Sequence, residues 1–177
     1  MNKAELNAYG QMAQALAHHA DGWVKSWDFK FPGTSEPVYH HLSDSTFEGV
    51  ADCLWKLKIF RALDEQNGGA ANFVFDCKLE DAFSIAIANC NAGPSFEELL
   101  YALIYLFGDY GTQYWGFSTR RGLAFGRDGR LTPVLDALVP LQYVRSSEAG
   151  YIWTERVAPI MREAGYESEW PLEEDGP

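Results

Sequence analysis

The chain predicts a mainly α fold: a single-domain helical bundle of about five to six helices around a central apolar helical hairpin, with one small β-hairpin near 123–131. Three observations carry that expectation. Apolar residues recur at helical intervals in several segments. The reciprocal Ser-x-x-Glu capping pattern occurs twice ahead of such segments, at Ser45 with Glu48 and at Ser95 with Glu98. Two successive segments, 79–90 and 96–107, are apolar nearly all round, as helices enclosed by others are.

The first element is a helix over Lys3–Ala20, with Leu6, Tyr9, Ala13, Leu16 and Ala20 on one face and an end near Asp21 and Gly22. Residues 23–42 hold prolines, a glycine and scattered rings without a period, which reads as an ordered loop. A second helix starts at Thr46, its stripe formed by Phe47, Val50, Ala51, Leu54 and Trp55 opposite Asp52 and Lys56. Continuing the wheel brings Lys58 and Arg61 onto the apolar face, so this helix ends or bends there. Asn67, Gly68 and Gly69 break the chain, and residues 72–77 read as a short strand.

Gly93 and Pro94 separate the two central helices, and residues 108–122 read as a loop of glycines and rings. The Asp128-Gly129 pair marks the tight turn of the β-hairpin. Thr132 and Pro133 open a short helix that Pro140 closes. The last helix runs from about Ser147 to Ala164 with Ile152, Trp153, Val157, Ile160, Met161 and Ala164 inward, and Pro159 kinks it.

With 177 residues the chain suits one domain over 1–166, a size that buries about 70% of its unfolded surface. Residues 167–177, with five acids and no base, read as a frayed acidic tail. The start lacks the charged-then-apolar order of a secretory signal, and the longest apolar stretch, Leu99–Phe107, is half of what crosses a bilayer. Cys53, Cys77 and Cys90 are odd in number and show no C-x-x-C spacing, which suits reduced thiols in a cytoplasm.

The formal net charge is −11, yet the stretch Arg120–Arg130 holds four of the chain's 14 cations. An acidic body repels nucleic acid and anionic lipid and attracts basic proteins. Arginine forks and rigid rings are the composition of binding anchors, so Tyr110, Tyr114, Trp115, Phe117, Arg120, Arg121, Arg127 and Arg130 are the expected contact residues. The competing structural reading is that these arginines neutralise acids of the body.

The histidines come as adjacent pairs, His18-His19 and His40-His41. Neighbours in sequence point apart on a helix and oppositely on a strand, so no metal site is expected. His18 and His19 instead suit the negative end of the first helix. His40 or His41 could move protons, being of the side-chain type that titrates near neutrality. Cys77, placed just before a helix start, is weighed as a nucleophile against the reading of a small buried hydrophobe.

No nucleophile elbow, phosphate loop, dinucleotide fingerprint or zinc spacing is present, which favours binding over catalysis and implies no cofactor. The expected function is an acidic protein-binding module, an inhibitor or immunity-type partner of a basic protein. Two alternatives stand beside it. One is an enzyme or small-ligand binder acting on an anionic substrate, with Arg120 or Arg121 holding the anion. The other is an assembly subunit forming a homo-oligomer.

Overall fold

The computed structural model describes residues 1–27, 39–40, 45–62, 72–114, 131–147 and 150–163. Over these residues the fold is mainly α. In chain order the elements are α1 (Lys3–Trp27), β1 (Tyr39–His40), α2 (Ser45–Lys56), β2 (Phe60–Ala62), β3 (Asn72–Phe75), α3 (Ala82–Asn89), α4 (Phe96–Tyr114), α5 (Thr132–Leu138), β4 (Val144–Ser147), β5 (Gly150–Trp153) and α6 (Ala158–Glu163). Short 3-10 turns precede α3 and α6, at Leu79–Asp81 and Glu155–Val157. The chain divides into two compact units, residues 9–99 in one and residues 1–8 with 100–177 in the other.

In the unit of residues 9–99, the inward stripe of α1 is as the periodicity requires, with Tyr9, Ala13, Leu16 and Ala20 fully buried. Gly10 packs closely under Phe83: a Cβ there would stand 2.5 Å from the ring, so a larger residue requires that ring to shift. Gln14 then does for α3 what that helix's own leading residues do not. Asp81 makes no side-chain cap. The Gln14 Oε1 instead accepts from the Phe83 amide at 2.9 Å, and its Nε2 donates to the Leu79 carbonyl at 2.7 Å.

Helix α2 ends in a Schellman turn. The Ile59 amide donates to the Leu54 carbonyl at 2.9 Å and the Lys58 amide to the Trp55 carbonyl at 3.0 Å, while Lys58 takes φ 63°. Leu54 and Ile59, both fully buried, supply the hydrophobic contact that accompanies this motif. The turn delivers the chain into β2, which pairs antiparallel with β3 in register Phe60 to Phe75 and Ala62 to Phe73; β1 flanks β3 on the other side. Phe60 stacks on Phe73 and meets Phe75 edge-on.

Ahead of α4 the second capping box forms as its sequence requires: the Glu98 amide donates to Ser95 Oγ at 3.1 Å and the Ser95 amide to Glu98 Oε2 at 2.8 Å. Leu99, Leu100, Leu103 and Ile104 are buried along α4. In α3, by contrast, Ala82 and Ala86 are the buried residues, and Phe83, Ile85 and Ile87 stay partly open. An apolar wheel alone overstated how far α3 is enclosed.

In the other unit, Pro133 sits in the first turn of α5, where no donor is required of it, and Val134, Leu135 and Leu138 are buried. A second Schellman turn closes α5: the Tyr143 amide donates to Leu138 O, the Gln142 amide to Val139 O, and Gln142 takes φ 63°. Beyond it the structure departs from the expected last helix. Residues 144–153 form an antiparallel hairpin of β4 and β5, in register Val144 to Trp153, and only 158–163 form an α-helix. Val144, Tyr151, Ile152 and Trp153 are β-branched or aromatic, and Gly150 takes φ 137° beside the turn, which a helix does not accommodate. Pro159 falls in the first turn of α6, so it starts a helix where a kink was expected.

Other boundaries also moved. Helix α1 runs through Gly22 to Trp27 and Tyr39–His40 pair as a strand, where a continuous loop was expected. Helix α4 continues through Gly108 and Gly111 to Tyr114, where a loop was expected. A helical glycine costs about 1 kcal/mol relative to Ala, which the flanking residues of a long helix offset. The expected β-hairpin at 123–131 and the acidic tail lie outside the described residues.

Candidate interaction surface

The expected contact residues divide by what the structure describes. Tyr110 and Tyr114 belong to the backbone of α4, so they stand on a helix and not in a loop. Trp115, Phe117, Arg120, Arg121, Arg127 and Arg130 lie outside the described residues, as does His41. His40 is in β1, its backbone paired with Asn72. His18 and His19 are well inside α1, because the helix continues to Trp27. The dipole effect fades beyond the last turn, so the expected end-of-helix role for this pair does not hold. Gln14 Nε2 lies 3.0 Å from His18 Nε2, one turn along the helix.

Cys53 is buried, and Cys77 and Cys90 are half-buried. Burial, then the carboxylates of Asp81 and Asp76, raise Cys77 above the ordinary cysteine value, opposite to the lowering a helix start was expected to bring. Cys53 is pushed up to about 12, mainly by burial and then by Asp52. Tyr9 is likewise raised, by burial and then by Cys90, Cys53 and Glu98, and its buried hydroxyl donates to the Pro94 carbonyl at 2.7 Å. These groups are neutral at physiological pH and hold structure. Among the described residues no group of three or more His, Cys, Asp or Glu side chains comes together to hold a metal ion, and no helix is long and apolar enough to cross a membrane.

What the structure adds is Trp55. The wheel of α2 put this residue in the buried stripe, yet it is 44% exposed, while Val50, Ala51, Cys53 and Leu54 take the interior. Around it lie exposed Gly49, Asp52, Lys56 and Lys58, with Lys56 Nζ 2.9 Å from Asp52 Oδ2. A helix repeat of 3.6 residues cannot tell which edge of a five-residue stripe emerges; Cys53, two positions earlier, was the signal that the buried arc lies on the other side.

The hairpin unit carries its own polar ties. The buried Tyr151 hydroxyl donates to Asp136 Oδ1 on α5. Thr154 donates through Oγ1 to the Gln142 carbonyl, and Arg156 donates to the Leu141 carbonyl with its guanidinium 4.3 Å from the centre of the Tyr143 ring. On α4, Tyr101 and Tyr105 stack one turn apart with ring centres 5.9 Å apart, and both stay partly open. Among the described residues the surface thus carries the exposed Trp55 ring, and carboxylates at Asp76, Glu80, Asp81, Glu97 and Glu98 in one unit and at Asp136, Glu155 and Glu163 in the other. No protein-family model, no curated protein and no solved structure matches this chain.

Proposed function

We propose that this chain is an acidic protein-binding module whose partner is a basic protein, in the manner of an inhibitor that neutralises its target. The observation that carries the reading is the net charge of −11, from 25 acids against 14 bases. A field of that sign steers basic proteins to the surface and raises their association rate. The exposed carboxylates of both units support it.

The anchors of the contact are the residues the sequence marks, Trp115, Arg120, Arg121, Arg127 and Arg130, together with Tyr110, Tyr114 and Phe117. Rings supply contact area at low entropic expense, and guanidinium groups fix its orientation on carboxylates of the partner.

Capture of partners on the full chain from its native lysate at low salt tests the reading. The expected result is a stoichiometric protein of basic isoelectric point. Its association rate then falls at least tenfold between about 0.02 and 0.5 M salt, and Trp115→Ala weakens the complex at least tenfold. Recovery of no stoichiometric partner, or of one whose association ignores salt, refutes it.

A further inference from the structure

Along α4, Ala102, Leu103 and Ile104 are buried, whereas Tyr101 and Tyr105, one turn apart on the same side of the helix, stay partly open. Their rings lie nearly parallel, 8° apart in plane. Among the described residues no hydrogen bond or ion pair engages either phenol or the exposed Glu163 carboxylate of α6. Glu163 is nevertheless near: burial first, and then its charge, hold the Tyr101 hydroxyl above the ordinary tyrosine value. All three residues belong to one compact unit.

The same unit shows what an open tyrosine ring accepts. The Tyr143 ring is covered from within the chain by the Arg156 guanidinium, 4.3 Å from its centre. Tyr101 and Tyr105, among the described residues, have only one another as ring contacts.

We infer that Tyr101, Tyr105 and Glu163 form a receptor for an arginine side chain of a basic partner protein. The face of a tyrosine ring is negative and draws a cation placed within about 6 Å of its centre. A guanidinium is planar and weakly hydrated, so it stacks on the ring while its edge donates to a carboxylate. A lysine ammonium, a compact and strongly hydrated charge, does not combine the two. Arg162, next to Glu163 in sequence, leaves α6 about 100° further round, so it does not take the carboxylate's place. Charge points the same way, since a chain of net charge −11 draws cations to its surface and repels anions. The inference rests on the proposed function for the kind of partner, and it adds a contact point outside the arginine loop.

Titration of the full chain with hexa-arginine and with hexa-lysine peptides in about 0.15 M salt, followed by NMR at residues 101, 105 and 163, tests it. Hexa-arginine is expected to shift the ring resonances of Tyr101 and Tyr105, saturating them at a concentration at least about twofold below that needed with hexa-lysine. Tyr101→Leu changes no charge and is expected to weaken hexa-arginine binding at Tyr105 by about two- to fivefold. Glu163→Gln, on the surface, weakens it more than Glu155→Gln, which removes an equal charge elsewhere in the unit. Ring resonances that stay in place, equal saturation by both peptides, or binding unchanged in Tyr101→Leu and Glu163→Gln overturns the receptor, even where a basic partner is captured and the proposed function stands. A chain that takes hexa-arginine at these rings yet captures no partner keeps the receptor and loses the proposed function.

Discussion

Lys58 and Gln142 each hold φ at 63°, in the left-handed region where a Cβ is crowded. Both are the penultimate residues of Schellman turns, the position glycine ordinarily takes. The left-handed conformation costs an L-residue about 1–2 kcal/mol, and the freedom glycine adds to the unfolded chain returns about 0.4–1 kcal/mol of that. Lys58→Gly and Gln142→Gly are each expected to stabilise the fold by about 0.5–1 kcal/mol in urea unfolding. A loss of stability in either would show that the side chain holds more than its backbone gives up.

Cys53 supplies a second prediction at this scale. Its ordinary value of 9.0 rises to about 12 in the folded chain, so the folded state keeps the thiol proton where the unfolded state releases it. The stability this contributes is complete below pH 9 and is lost as pH climbs through 12; Tyr9, raised from 10.0, acts in the same sense at higher pH. Urea unfolding is expected to show flat stability from pH 7 to 9 and a decline above it, shallower in Cys53→Ala. A decline as steep in that variant would assign the loss to other groups.

At the scale of elements, the most telling contact is the one that opens α3 from outside. Gln14 meets the Phe83 amide and the Leu79 carbonyl together, both partly buried. Replacing it with Leu removes the Phe83 amide's acceptor, while the Leu79 carbonyl keeps the Ala82 amide, and an unpartnered buried polar group costs about 1–3 kcal/mol. Gln14→Leu is therefore expected to destabilise by about 1–3 kcal/mol and to raise hydrogen exchange first at the amides of 82–84. Uniform exchange along α3 would mean that the contact does not act as a cap.

The elements that were legible in sequence carried their own stop and start signals. Ser95, Glu98, Pro133 and the Gly93-Pro94 break placed α4 and α5 because capping chemistry is local. The stretch 147–164 was misread because Ile152, Trp153, Val157 and Ile160 satisfy a helical period and a hairpin followed by a short helix equally well. Strand β2 was invisible, since three residues after a left-handed turn hold too little pattern to see. At the candidate surface, Trp55 could not be separated from the stripe beside it, and most of the arginine loop lies outside the described residues.

At the scale of the whole molecule, one number, −11, has opposite consequences for two kinds of association. Attraction to a basic partner weakens with ionic strength, whereas pairing of like-charged copies gains from it. Measuring both in one salt series separates them. Complex formation that falls with salt belongs to the acidic surface.

The bridge from Gln14 to Phe83 spans 69 positions of chain, and Tyr9 reaches Pro94 across 85. Closing loops of that length delays folding, because their entropy is spent before the contacts form. During synthesis Tyr9 and Gln14 therefore wait for these partners until residues 94 and 83 have emerged.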